Sequence, residues 1–372
     1  MFTLKLESKY LIPSSAVQDV VEDMKSLHSI SQEQLKCELK TQLMLSNSPE
    51  EVDRALELSF KNSSLSTALS SDGALRSSYM RNLCYTKKLY HNRSIEIPLG
   101  LDSHNDMQHY TYVPVKETLR SLLSQPDIML RLSFIVETNK NRVYREFTDG
   151  RAFQNRMTSN ENVAQIILYQ DAFENVNPRG SGHGKFKMLA VYLMLGNLPS
   201  FLRTVVDSQQ LVLLCREADF KHFGCSKVFE RLISDLQDLE EGITVDGCDY
   251  IGQLAFTCGD NLGSHCIGGF VENFSRASYT CRFCVTTMQD FKDDKPAELK
   301  TVSSYTEAAT HAKRNEADFM EHDSPFNKLS TFHVCLPGLP PFLGHDLFEG
   351  VIDYDLALMI KHFVTTTALI RL

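Results

Sequence analysis

The chain has 372 residues, 42% of them hydrophobic, and 38 Lys and Arg against 47 Asp and Glu give a formal net charge of −9. This composition can bury a core, and the length suggests two domains at roughly 150 residues each. No apolar run approaches the ~18 residues of a membrane span, and Lys5, Glu7 and Lys9 interrupt the stretch that a signal peptide would keep apolar.

The first elements read as helical. Ser14 or Ser15 can cap a helix in which Val17, Val20, Val21, Met24 and Leu27 recur at helical spacing. Ser48, Pro49 and Glu51 form a capping box ahead of Val52, Leu56 and Leu58. Residues 59–78 are serine-rich and are expected to be a mobile linker. Arg76, Arg81, Lys87, Lys88 and Arg93 alternate with Tyr79, Tyr85 and Tyr90, either as a phosphate-contacting patch or as a solvated basic loop. A short helix bounded by Pro114 and Pro126 completes a mainly helical region over 1–132.

From about residue 140 the pattern turns to strands. Residues 163–170 are an apolar run ending at Asp171, and a glycine-rich turn at 179–184 leads to a second strand at 186–195. A third is expected at 210–215, an amphipathic helix at 225–242, and a fourth strand at 250–258 just before Asp260. Three strands, a helix and a fourth strand are the order of an RNase H-like α/β fold, a mixed sheet flanked by helices, here over 140–372 with an insertion near 275–335. Many α/β domains begin in the same order.

Three carboxylates stand out. Asp171 follows a strand buried on both faces, where a carboxylate is costly unless paired or bound to a cation; a turn or cap role is the alternative. Asp260 lies in a glycine-rich segment that lets backbone approach a ligand, and an ordinary Asp-Asn-Leu-Gly turn is its alternative. Glu349 shares a helix face with His345, four residues before it, with Leu347, Val351, Leu356 and Met359 as the expected buried side; a surface Glu at a helix N-terminus is its alternative. Together the three could hold two Mg²⁺ or Mn²⁺ ions about 3.5–4 Å apart for phosphodiester chemistry.

Ten cysteines scattered from Cys37 to Cys335 suggest a reducing compartment. Only Cys281 and Cys284 have the two-residue gap of a Zn²⁺ knuckle, with a redox dithiol as rival. Two further ligands would come from His333 and His345, or from Cys335, His311 and His322.

The runs IILYQDAFENVNPRGSGHGKFKMLAVYLMLGNLP, LAFTCGDNLGSHCIGGF, CRFC and FHVCLPGLPPFLGHDLFEGV closely resemble animal transposon-encoded proteins of the CACTA (En/Spm-like) group. The resemblance covers about residues 112–365. It implies cut-and-paste DNA transposition by an RNase H-like nuclease of the DDE class, with Asp171, Asp260 and Glu349 as its acidic triad and the zinc knuckle in the insertion; Asp346 and Asp353 lie near the third position. It also implies a nuclear site of action for a functional protein, an intracellular one otherwise, and DNA ends as the partner, with room for an oligomer. Two departures favour a catalytically inactive or domesticated remnant acting as a binding or scaffold protein. The first 110 residues carry no zinc-finger-like or helix-turn-helix segment. Only 23 residues follow Glu349, so a truncated core and weak DNA binding are expected. No Ser-nucleophile elbow is present.

Overall fold

The protein is described here from a computed structural model covering residues 2–8, 12–43, 48–61, 63–88, 92–134, 143–154, 162–174, 186–273, 279, 281–293, 295–312 and 320–366. The glycine-rich turn expected at 179–184 lies outside the described residues. Two compact units divide between His91 and Asn92.

The first unit is helical: α1 (Phe2–Ser8), α2 (Ser14–Leu43), α3 (Pro49–Lys61), α4 (Ser64–Leu69) and α5 (Ser78–Lys88). The Ser48 hydroxyl caps α3, accepting from Glu51 N at 3.4 Å. The serine-rich stretch is not a bare linker. Ser63 caps α4, and Ser66 is held by His28 and Gln32 of α2 at 3.1 and 2.9 Å. The basic stretch is mostly the helix α5, and its Arg81 points inward. Its side chain is fully buried, ion-paired to Glu7 at 3.0 Å and bonded to Ser14 O, so this cation neutralises the protein's own acid and cannot reach a phosphate.

The second unit carries a seven-stranded mixed sheet in the order β1-β2-β5-β4-β3-β7-β6. Its strands are β1 (Ile95–Leu101), β2 (Met107–Tyr112), β3 (Val163–Glu174), β4 (Lys187–Leu195), β5 (Gln210–Arg216), β6 (Ile243–Val245) and β7 (Cys248–Cys258). The four expected strands are β3, β4, β5 and β7. β1 and β2 fall inside the region read as helical up to 132, and they extend the sheet beyond β5. All neighbours run antiparallel except β3 and β7, which are parallel. A parallel pair needs a long crossover, supplied by α7 (Glu217–Phe223), α8 (Cys225–Val228) and α9 (Glu230–Glu241) after β5.

β3 is buried from Val163 to Leu168, as a strand covered on both faces must be. On one side α6 (Val115–Leu123) and α9 lie over it. Leu119 and Leu239 close so tightly over Gly252 that a Cβ there would meet Leu239 Cβ at 2.9 Å. Within that layer the Tyr112 hydroxyl donates to the buried Asp235 at 2.7 Å. After β7 come α10 (Asn261–Gly268), a two-stranded ribbon β8 (Cys284–Val285) and β9 (Glu298–Leu299), and α11 (Val302–Ala312). The described part of the 275–335 segment is not a free-standing module: Tyr305, Phe326 and Phe332 join the sheet's own core. Tyr305 fastens it, its hydroxyl donating to Gly268 O at 2.8 Å and accepting from Ser324 N at 2.9 Å.

Candidate functional site

The parallel pairing of β3 and β7 sets Tyr169 opposite Cys258, and each chain then runs two residues further to an aspartate, Asp171 and Asp260. Asp171 does not end its strand. It sits within β3, paired with Ala190 of β4, at a point where the burial of the strand gives way to exposure. Asp260 is the N-cap of α10, its Oδ1 accepting from Gly263 N at 2.6 Å, so the segment is a capped helix start and not the ordinary turn that is the alternative. A Cβ on Gly263 would approach that oxygen to 3.1 Å, a close fit that the cap would have to yield slightly to admit.

Tyr169 is the link between the two acids. Its phenol is held above its ordinary pKa first by burial, then by the charges of Asp171 and Asp260 and a hydrogen bond to Asp171. A phenol that feels both carboxylates places them in one field. They open on a cavity of about 570 Å³ lined, among the described residues, by five carboxylates and one lysine. Gln170 forms part of its wall, and the buried Oε1 of that side chain has no hydrogen-bond partner among the described residues.

The third expected acid is placed differently. Leu343–Val351 forms a wide π-type turn leading into α12 (Ile352–Thr366), and Glu349 there is 69% exposed, with its Oε2 2.6 Å from His345 Nδ1. The shared face was read correctly, but the buried side was not: Leu347, Val351, Leu356 and Met359 are all exposed. Periodicity marks an apolar face without supplying anything to cover it. Asp346 is the acid that is anchored, accepting from Arg282 Nη2 at 2.7 Å and Phe342 N at 2.8 Å. Arg282 also donates to Asn261 Oδ1, tying this segment to the first residue of α10. Phe342 in turn lies 6.5 Å from the Tyr169 ring and 5.0 Å from His345.

Cys281 and Cys284 face each other across the knuckle. Cys281 Sγ accepts from Phe283 N at 3.3 Å and Cys284 Sγ from Thr286 Oγ1 at 3.1 Å. Burial pushes the Cys281 thiol up, but the N–H of Phe283 and the Cys284 thiol outweigh it and bring Cys281 below its usual value. Burial dominates for Cys284 and raises it. Buried Lys300 donates to the carbonyls of both cysteines. Of the expected partners, Cys335 shares the field of Lys300 with both cysteines, His333 Nδ1 accepts from Cys335 N at 3.1 Å, His345 pairs with Glu349, His311 is in the last turn of α11, and His322 stands with Cys225. Among the described residues, no three His, Cys, Asp or Glu side chains form a group that could hold a metal ion.

Tyr169, Gln170, Arg282, Cys225 and Cys266 were not singled out from sequence. The CxxC spacing points at its cysteines, and nothing local marks the arginine between them as the joint of the site. No family model matches this chain, and no curated protein matches its sequence.

Proposed function

We propose that the second unit is an RNase H-like nuclease core of the DDE transposase class, related to the CACTA group, that acts on DNA with Asp171 and Asp260 as its cation-binding pair. The observation that carries this reading is the parallel β3–β7 pairing, which brings two acids from distant segments to one cavity beside a shared tyrosine. The order β5-β4-β3-β7, three antiparallel strands and a fourth parallel to the first, supports the fold reading.

A divalent cation fits this pair. The five carboxylates among its described lining residues would repel a phosphodiester unless cations offset them. Asp260 keeps one oxygen uncommitted by its cap, and Gln170 Oε1 is an acceptor in need of a partner. Asp171 and Asp260 would hold Mg²⁺ or Mn²⁺, which supplies Lewis-acid polarisation of the phosphoryl oxygen. Tyr169 lies in the field of Asp171, and Lys221, ion-paired to Glu217 at 3.0 Å, offers an ammonium to a phosphate. Zn²⁺ at Cys281 and Cys284 belongs to the same reading, with the Phe283 N–H bond to sulfur favouring a thiolate at Cys281.

The exposed Glu349, paired with His345, favours a second reading in which the fold persists without a complete triad, as a remnant that binds or scaffolds. Mn²⁺ titration of the protein and of Asp171→Asn, with DNA nicking measured alongside, separates these. The nuclease reading expects Mn²⁺-dependent nicking, lost at least a hundredfold in Asp171→Asn, together with weakened Mn²⁺ binding. Binding without nicking leaves the remnant, and no Mn²⁺ binding overturns the cation pair.

A further inference from the structure

The cavity wall also carries two thiols, an imidazole and a carboxylate that phosphodiester chemistry does not use: Cys225, Cys266, His322 and Glu272. Cys225 opens α8 directly after Gly224, whose φ of +82° turns the chain between α7 and α8. Cys266 lies in the last turn of α10, the helix that Asp260 caps. His322 is brought in by Gly269, whose carbonyl accepts from Glu321 N at 2.9 Å; a Cβ on Gly269 would lie 2.0 Å from His322 O. Three segments far apart in sequence thus deliver two sulfurs and an imidazole to one place.

The neighbouring Cys266 thiol, and after it His322, outweigh burial to hold Cys225 below its ordinary pKa. The same contact, together with burial and the Glu272 charge, raises Cys266. His322 is raised chiefly by the neighbouring Cys225 thiol, against burial. These shifts favour a thiolate at Cys225 and an imidazolium at His322 beside a second, protonated thiol.

We propose that Cys225 and Cys266 are a redox-active dithiol that closes to a disulfide on reaction with a two-electron oxidant of the peroxide class. The Cys225 thiolate attacks one peroxide oxygen, the O–O bond breaks, and the departing hydroxide takes the His322 proton to leave as water. Cys225 is then a sulfenic acid. Neutral His322 accepts the Cys266 proton, the Cys266 sulfur attacks the Cys225 sulfur, and the S–O bond breaks. The second hydroxide recovers the proton from His322 as water, so two thiols and one peroxide give one disulfide and two waters. The bond would clamp the start of α8 to α10.

The full chain, reduced and then given hydrogen peroxide, is digested without reductant and analysed by mass spectrometry. A peptide joining Cys225 to Cys266 is expected, and Cys266→Ser should stop at a Cys225 sulfenic acid that dimedone traps. Alkylation of Cys225 at pH 7 should slow roughly tenfold in His322→Gln, because the thiolate fraction falls. Circular dichroism checks that each variant is folded, and either chemical readout in the folded parent suffices to test the pair. Oxidation of other cysteines with no Cys225–Cys266 peptide would overturn the proposal. So would metal analysis of Cys281→Ser/Cys284→Ser showing zinc that is lost on adding Cys225→Ser, since the pair would then be a metal site.

Discussion

With Oδ1 of Asp260 committed to Gly263 N, one residue must serve both a helix and a site. The two demands separate by substitution. Asp260→Asn keeps an oxygen for the cap and loses the charge, so it should unfold within about 0.5 kcal/mol of the parent, whereas Asp260→Ala loses the cap and should cost about 1 kcal/mol. Both should lose Mn²⁺ affinity, and urea titration beside Mn²⁺ binding reads the two effects apart. His265, in the same helix, is buried with Nδ1 3.0 Å from Val271 O, and burial first, against that hydrogen bond, brings its pKa down to about 4. A folded value below the unfolded one near 6.5 means the neutral ring contributes fully above that pH and its contribution is lost as pH falls towards 4. Stability should fall by on the order of 2–3 kcal/mol across that window. The curve of His265→Asn should be flatter there, and parallel curves would refute the assignment. At this scale Asp171 and Asp260 were legible because a strand pattern pointed at each. Tyr169 and Arg282 were not, because their roles are defined by partners 91 and 64 residues away, Asp260 and Asp346.

Among the elements, β3, β4, β5 and β7 were legible as continuous apolar runs. β1 and β2 were not: Pro98 interrupts one, which is tolerable at a sheet edge, and polar residues fill the other. Tertiary pairing, with Tyr112 reaching Asp235, makes β2 a strand where its own residues are indifferent. The crossover helix α9 approaches β7 closely at Gly252, where no side chain intervenes. Gly252→Ala should push Leu239 outward and cost about 1–3 kcal/mol, since interiors this dense do not absorb a methyl group freely. Thermal unfolding of the variant measures it, and an unchanged midpoint would show that α9 stands further from the sheet.

For the whole molecule, the acid excess governs encounters with polyanions. A net charge of −9, with Arg81 spent internally, leaves DNA affinity dependent on a few phosphate contacts and on cations in the cavity. Fluorescence anisotropy at physiological salt should find weak binding that falls further as salt rises. Tight, sequence-selective binding to one DNA end would show a groove-reading element that sequence and structure both failed to reveal.

The pairing of β3 with β7 also bears on how the chain reaches its native state. The antiparallel run β3-β4-β5 joins near neighbours, while the contact that unites Asp171 with Asp260 closes a loop of about 90 residues. Such contacts carry a large closure entropy and form slowly. On the proposed reading, a cation gripping both carboxylates would gain its second ligand only after the crossover has docked. Its stabilisation would fall on a late event, lengthening the lifetime of the native state far more than hastening arrival there.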